Sequence, residues 1–100
     1  MKPINPFLIM RAVENYFHLE NGSLIKRDRK PYITRARNIG MYLVREVCGF
    51  TYNEIAAFFD RDDHKTIMNG CKKALKHSEH IKNILGDINA YRYDRQNIVN

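Results

Sequence analysis

The side chains best suited to binding a ligand lie on one face of a helix predicted from residue 64 to residue 77. Winding at roughly 100° per residue, this face carries polar and basic groups without a paired carboxylate: Lys65, Thr66, Asn69, Lys72, Lys73 and Lys76. The opposite face is narrow and apolar, with Ile67, Cys71 and Ala74. A solvated helix surface usually mixes acids with bases. Ammonium, amide and hydroxyl groups alone are typical of a helix that contacts phosphates and base edges in a DNA groove.

A second helix should precede this one and position it. Thr51 followed three residues later by Glu54 has the spacing of a capping box, so a helix should begin at Tyr52. Its buried stripe would contain Tyr52, Ile55 and Phe59. An acidic run then interrupts the apolar pattern, and Asp62 or Asp63 can cap the next helix. Helix, tight turn and helix together predict a helix-turn-helix.

Other local signals predict the remaining helices. Asn5-Pro6 should open a first helix that ends near His18, and Ser23 should cap one short turn. Thr34 should cap a long helix from Arg35 to Cys48 that stops at Gly49. Ser78 should cap a last helix, and residues 91–100 lose periodicity and should fray. The pattern predicts an all-α bundle with one domain over residues 1–90.

A basic loop separates the first helix from the long one. Pro31 should block a continuous helix here. Within a dozen positions, Asp28 is the only acid among these cations: Lys26, Arg27, Arg29, Lys30, Arg35 and Arg37. Such a charge density repels itself unless an anion neutralises it.

Composition agrees with a polyanionic partner. The 100 residues carry a formal charge of +6, and the isoelectric point is near 9.5. No apolar run approaches the roughly 18 residues that span a membrane, and the N-terminus lacks the order of a signal peptide. We therefore expect a cytoplasmic, nucleoid-associated protein without a membrane partner. Cys48 and Cys71 should be reduced and buried.

The motifs resemble the C-terminal DNA-binding domain of the DnaA family of bacterial chromosome replication initiators. The matching residues keep the family's register without a gap from about Phe17 to Ala74, and they are residues 34–46, Glu54-Ile55, Phe59, Asp63-His64-Lys65-Thr66-Ile67 and Cys71-Lys72-Lys73. The resemblance implies a Trp-repressor-like fold of about six helices that binds an asymmetric duplex as a monomer. The partner would be double-stranded DNA, together with replication or transcription proteins.

The resemblance also assigns DNA contacts. Arg37 would enter the A·T-rich minor groove, whose narrow walls concentrate negative potential. The major-groove contacts would come from Asp63, His64, Lys65, Thr66 and Asn69. Phosphate contacts would come from Lys26, Arg27, Arg29, Lys30, Arg35, Tyr52, Asn53, Lys72 and Lys73.

Three positions depart from the family pattern. Asp62 stands where the family usually has arginine, Lys65 where it has threonine, and Asn69 where it has histidine. We therefore expect a recognition site related to, but different from, the family's DNA box, with each altered contact worth roughly 1–3 kcal/mol.

The family's ATPase domain has no counterpart here, because there is neither a Walker lysine motif nor the length to hold one. We expect no nucleotide partner and no cofactor. The chain is either cut from a longer protein or a stand-alone reader such as phage and mobile elements encode, and Met1 with a helix right after it favours the second.

Some residues also suggest two other classes of function, an enzyme and a protein-interaction module. Asp60, Asp62 and Asp63 in one turn would hold Mg²⁺ for a nuclease, but caps explain at least one of them and nothing completes a two-metal site. His77 and His80 would share Zn²⁺ only with ligands that Cys48 and Cys71, at inward positions, cannot supply. We expect neither an enzyme nor a metal site. A protein-interaction module would use exposed Phe50, Tyr52 and Phe58, although core packing is the favoured role of these rings.

Overall fold

A computed structural model of the chain describes the backbone at positions 4–61 and 63–99 and the side chains at positions 4–61 and 63–90. Within these positions the helices are α1 (Pro6–Tyr16), α2 (Pro31–Cys48), α3 (Tyr52–Phe58), α4 (His64–Ala74) and α5 (Ser78–Val99), with a 3₁₀ turn at Leu75–His77. The all-α fold is confirmed, but the count of about six α-helices is not matched. The segment around Ser23 forms turns and does not become a helix.

Most helix ends follow from local chemistry, as predicted. The Asn5 side-chain oxygen accepts from the Phe7 N–H at 2.8 Å, and Pro6 occupies the first helical position of α1. Gly49 ends α2 in the left-handed region with φ 73°. Asp63 caps α4 by accepting from the Lys65 N–H at 2.9 Å.

Pro31 interrupts a continuous helix, as predicted, but α2 starts at Pro31 itself and not at Arg35. It begins α2 at the first helical position, where the missing N–H has no intrahelical partner to lose and the fixed φ suits a helix. Thr34 therefore lies inside the first turn of α2 and is not its cap. Lys30 takes the cap position without a side-chain hydrogen bond.

The capping box of α3 is complete. The Thr51 hydroxyl accepts from the Glu54 N–H at 3.1 Å, and the Glu54 carboxylate accepts from the Thr51 N–H at 2.9 Å. These two bonds satisfy N–H groups that the helix itself leaves free. Hydrogen bonding of the Glu54 carboxylate to the Thr51 N–H, and secondarily to the Thr51 hydroxyl, holds the pKa of Glu54 below its ordinary value of 4.5.

We expect Thr51→Ala to lower the free energy of unfolding by about 1 kcal/mol, because it removes the hydroxyl acceptor of the cap. Urea denaturation followed by circular dichroism measures this loss. Thr34→Ala is the matched control, since Thr34 caps nothing, and an equal loss in both variants would contradict the assignment. The folded pKa of Glu54 is depressed, so its stabilising contribution is present above pH 4.5 and is lost as the pH falls through the folded pKa.

The long helix α2 lies at the centre of the packing, with α1 against one side and α4 against another. Fully buried side chains from all five helices, from the loop before α2 and from the turn after α3 fill the core: Ile9, Val13, Leu24, Ile39, Leu43, Val44, Ile55, Phe59, Ile67 and Ile84. Gly70 allows α4 to approach α2 closely, since a Cβ at this position would lie 2.7 Å from the Asn38 side-chain oxygen. The orientation of α4 is therefore fixed by apolar packing on its inner face.

The last helix runs to Val99, past residue 90, where the loss of periodicity predicts a frayed tail. Backbone hydrogen bonds within a helix do not require an apolar stripe, so a helical backbone is compatible with the loss of periodicity, and fraying of this end stays a prediction. Among the residues described, none of the helices combines the length and apolar character needed to cross a bilayer.

Candidate nucleic-acid interface

The helix-turn-helix consists of α3, a five-residue turn from position 59 to position 63, and α4. α3 ends in a Schellman motif: Asp60 has φ 54°, its N–H donates to the Ala57 carbonyl at 3.1 Å, and the Arg61 N–H donates to the Ala56 carbonyl at 2.8 Å. Position 62, one of the three departures from the family pattern, lies outside the described residues. Asp63 then starts α4.

The two faces of α4 divide as predicted. Ile67, Gly70, Cys71 and Ala74 are buried. Every side chain predicted to contact DNA from α4 or its cap is exposed, and these are Asp63, His64, Lys65, Thr66, Asn69, Lys72 and Lys73. The Asp63 carboxylate is partly engaged within the protein, because its second oxygen lies 3.4 Å from the Thr66 hydroxyl. The Lys65 N–H and the Thr66 hydroxyl therefore hold the Asp63 carboxylate at the N-terminus of α4.

The basic loop, residues 26–30, presents exposed cations. Lys26, Arg27, Arg29 and Lys30 are all exposed. Two of them meet carboxylates at the surface, with Lys30 Nζ 3.7 Å from Asp28 and Arg27 4.0 Å from Asp60. Arg29 makes no hydrogen bond or ion pair with any side chain or carbonyl in the described part of the chain. Among the described residues, therefore, its guanidinium is exposed and has no partner.

Arg37 does not have the position predicted for a groove-inserting side chain. It is only 8% exposed, and its guanidinium donates to the carbonyls of Leu24, Lys26 and Asp28 at 2.7, 2.7 and 2.8 Å. Burial, followed by the charge of Arg61, lowers the pKa of Arg37. A five-donor planar fork can satisfy several carbonyls at once, so this arginine shapes the loop from inside.

Glu14 supports the same loop from the opposite direction and was missed in the sequence. Its carboxylate, 3% exposed, accepts from the N–H of Gly22 at 2.9 Å and of Leu24 at 3.3 Å. The signal was present, since an acid next to Val13 and four residues after Met10 sits on the apolar stripe of α1. A carboxylate at such a position needs buried N–H partners.

The other predicted phosphate contacts lie around these segments. Arg35 is exposed and lines a cleft of about 270 Å³ with Tyr32 and His77. Asn53 is exposed on the first turn of α3, while Tyr52 is half-buried beneath Arg45, whose guanidinium carbon lies 4.0 Å from the ring centroid. The Arg45 guanidinium therefore covers one face of the Tyr52 ring.

The histidine and cysteine side chains that would be candidates for metal binding make contacts within the fold. His80 Nδ1 lies 2.9 Å from the Tyr16 hydroxyl, and the ring centroids of His77 and His80 are 6.3 Å apart. Cys48 and Cys71 are free thiols whose pKa values burial raises, and the Cys48 thiol donates to the Ile4 carbonyl at 3.2 Å. In the described part of the chain, three or more metal-binding side chains do not come together anywhere.

The aromatic residues considered for a protein interface pack against the core. Phe50, Tyr52 and Phe58 are partly buried and contact the core cluster. The Phe58 ring also lies 4.9 Å from that of Phe7, measured between centroids. The rings of Phe50, Tyr52 and Phe58 therefore cover core residues, while the Phe7 ring remains 59% exposed to solvent.

Comparison with known proteins agrees with the family resemblance of the sequence motifs. A family model described as the bacterial dnaA protein helix-turn-helix matches residues 6–74. Proteins called chromosomal replication initiator protein DnaA align with the chain, at 35% identity over 69% of it for Bifidobacterium animalis subsp. lactis, 33% over 87% for Pelobacter propionicus and 29% over 87% for Aquifex aeolicus. The chain spans 12%, 20% and 23% of those relatives, respectively. With its helix-turn-helix matched from end to end, this chain belongs to the bacterial DnaA helix-turn-helix family.

Proposed function

We propose that this protein binds double-stranded DNA in a sequence-specific manner, in replication initiation or in transcriptional control, and so associates with the nucleoid. The exposed face of α4 carries the proposal, because it presents Lys65, Thr66, Asn69, Lys72 and Lys73 to solvent on a helix that is rigidly packed on its other side. Its relatives are named as chromosomal replication initiators. A helix of this diameter fits the major groove of B-form DNA.

In this arrangement the first turns of α4 contact base edges. Asp63 would accept from a cytosine amino group, His64 would contact base edges, and the Thr66 methyl group would meet a thymine methyl. Lys65 and Asn69 are one helical turn apart, so both reach the same groove, where they suit guanine and adenine respectively. Lys72 and Lys73, further along α4, would contact phosphates.

The basic loop would lie against the adjacent backbone and minor groove. Because the Arg37 guanidinium is buried, we propose Arg29 as the side chain that enters the minor groove. Arg29 is exposed and has no internal partner among the described residues. A narrow A·T-rich minor groove attracts a guanidinium that brings no competing carboxylate with it. Lys26, Arg27, Lys30, Arg35, Tyr52 and Asn53 are proposed phosphate contacts.

Fluorescence anisotropy with labelled duplexes tests the proposal. A duplex selected from a random library and a scrambled duplex are titrated at several salt concentrations. We expect the selected duplex to bind roughly 10³-fold or more tightly, and its affinity to fall steeply with salt as counterions are released from the phosphates. Equal affinity for both duplexes, or no binding at low salt, would overturn the proposal and favour a protein partner.

We expect Lys72→Ala and Lys73→Ala each to reduce the slope of log affinity against log salt by about one, with the same loss on every duplex. This follows if each lysine neutralises one phosphate. Arg11→Ala is the control, because it removes one charge from α1, outside the helix-turn-helix. An unchanged slope in both lysine variants would remove them from the interface.

A further inference from the structure

Arg61 connects the helix-turn-helix to the basic loop. From the turn between α3 and α4, its guanidinium reaches the carbonyls of Ile25 and Lys26, at 3.4 Å each. It also donates to the carbonyl of Phe59 at 2.7 Å. One planar side chain therefore bonds simultaneously to the end of α3 and to a segment 35 residues earlier in the chain.

Arg27 makes a contact between the same two segments in the opposite direction. Its guanidinium donates to the Asp60 carbonyl at 3.1 Å and lies 4.0 Å from the Asp60 carboxylate. The Arg27 side chain is 70% exposed, so this contact alone contributes little. Arg61 is more buried and therefore provides the firmer connection.

The local backbone fixes where Arg61 can reach. The Schellman motif at the end of α3 places Asp60 in the left-handed region and bonds the Arg61 N–H to the Ala56 carbonyl. The Arg61 side chain thus leaves a rigid turn that the core residue Phe59 anchors. A loop held to such a turn takes up a defined position relative to α4, which begins three residues after Arg61.

Placing three arginines close together costs electrostatic free energy, which argues that the Arg61 contacts are not incidental. Arg27, Arg37 and Arg61 lie close together, with Asp28 and Asp60 as neighbouring acids. Burial lowers the pKa of Arg61, and the charge of Arg27 lowers it further. Charge-assisted hydrogen bonds offset this repulsion, because Arg37 and Arg61 both donate to the Lys26 carbonyl.

We infer that Arg61 is a positioning residue that holds the basic loop in register with α4, so that the loop and the recognition helix engage DNA as one rigid surface. The inference rests on the proposed function, since the register matters only if both segments meet one duplex. Holding the loop in place before binding removes the entropy cost of ordering it on the DNA.

Two variants of Arg61 separate positioning from charge. Arg61→Gln removes the guanidinium and its charge, whereas Arg61→Lys keeps the charge but cannot bond several carbonyls with one planar group. We expect both to bind the selected duplex roughly ten-fold more weakly than the wild type. Arg11→Gln, with the same charge change on α1, should bind as the wild type does. If Arg61→Lys restores full affinity, Arg61 is a simple phosphate contact and the inference fails.

A double-mutant cycle locates the effect. If Arg61 positions the loop, Arg29→Ala should cost much less affinity in the Arg61→Gln background than in the wild type, while Asn69→Ala should cost the same in both. Additive losses for Arg61→Gln and Arg29→Ala would overturn the inference.

Hydrogen exchange in the DNA-free protein gives a readout that does not depend on binding. We expect Arg61→Gln and Arg61→Lys to speed amide exchange from Leu24 to Lys30 by roughly ten-fold and to leave α2 unchanged. Unchanged exchange in the loop would overturn the inference whatever the DNA result. If the loop exchanges faster in the variants but the wild type binds both duplexes equally, the proposed function fails. Arg61 then orders the loop, but no sequence-specific DNA complex depends on that order.

Discussion

Arg37→Met is expected to lower the free energy of unfolding by about 2–4 kcal/mol, a large share of the roughly 5–15 kcal/mol available to a domain of this size. The change leaves the carbonyls of Leu24, Lys26 and Asp28 without the guanidinium that now bonds to all three. Methionine fills much of the space of the arginine stem, so the loss comes chiefly from the unpaired carbonyls of Leu24 and Asp28, while the Lys26 carbonyl keeps its bond from Arg61. Urea denaturation followed by circular dichroism measures it.

Arg29→Met is the matched control for Arg37→Met. Both replace an arginine with methionine within nine positions of each other, but Arg29 has no internal partner among the described residues. We expect Arg29→Met to leave the unfolding free energy within about 0.5 kcal/mol of the wild type and to weaken DNA binding selectively on A·T-rich duplexes. The reverse result, with Arg37→Met stable and Arg29→Met unfolded, would show that the two roles are exchanged.

The contrast between these arginines also shows what the sequence could and could not predict. Both lie in one run of cations, and no local pattern distinguishes an arginine that bonds to buried carbonyls from one that faces solvent. The partners of Arg37 belong to a loop whose path depends on the packing of Leu24 and on the Glu14 carboxylate. Such tertiary hydrogen bonds have no periodicity to detect.

Features that depend on neighbouring residues were predicted well. The capping box at Thr51, the left-handed stop at Gly49 and the cap at Asp63 each involve residues no more than four positions apart, so the sequence shows their chemistry directly. The predicted start of α2 at Arg35 is four residues too late, because proline both breaks and begins helices and only the position of the following turn decides between the two. Arg61 lies in an acidic run that interrupts the apolar pattern, and no local pattern there indicates a contact with residues 25 and 26.

Returning two positions of α4 to the family's residues is expected to change which DNA the protein prefers. In the double variant Lys65→Thr with Asn69→His, each substitution alters one contact worth roughly 1–3 kcal/mol, so the ratio of affinities for the family's box and for the protein's own site should shift by roughly 10²-fold or more. Anisotropy titrations of both duplexes at one salt concentration measure the ratio. Asp62, outside the described residues, stays unchanged.

The structure makes this a clean test of readout, because both side chains are exposed on α4 and neither makes a side-chain hydrogen bond within the described residues. The unfolding free energy should therefore remain within about 0.5 kcal/mol of the wild type. Lys73→Thr is the control on the same helix: loss of a phosphate contact weakens binding to both duplexes equally and leaves the ratio unchanged. A double variant that keeps the wild-type ratio would show that Lys65 and Asn69 do not read bases, and specificity would then have to come from Asp63, His64, Thr66 or the basic loop.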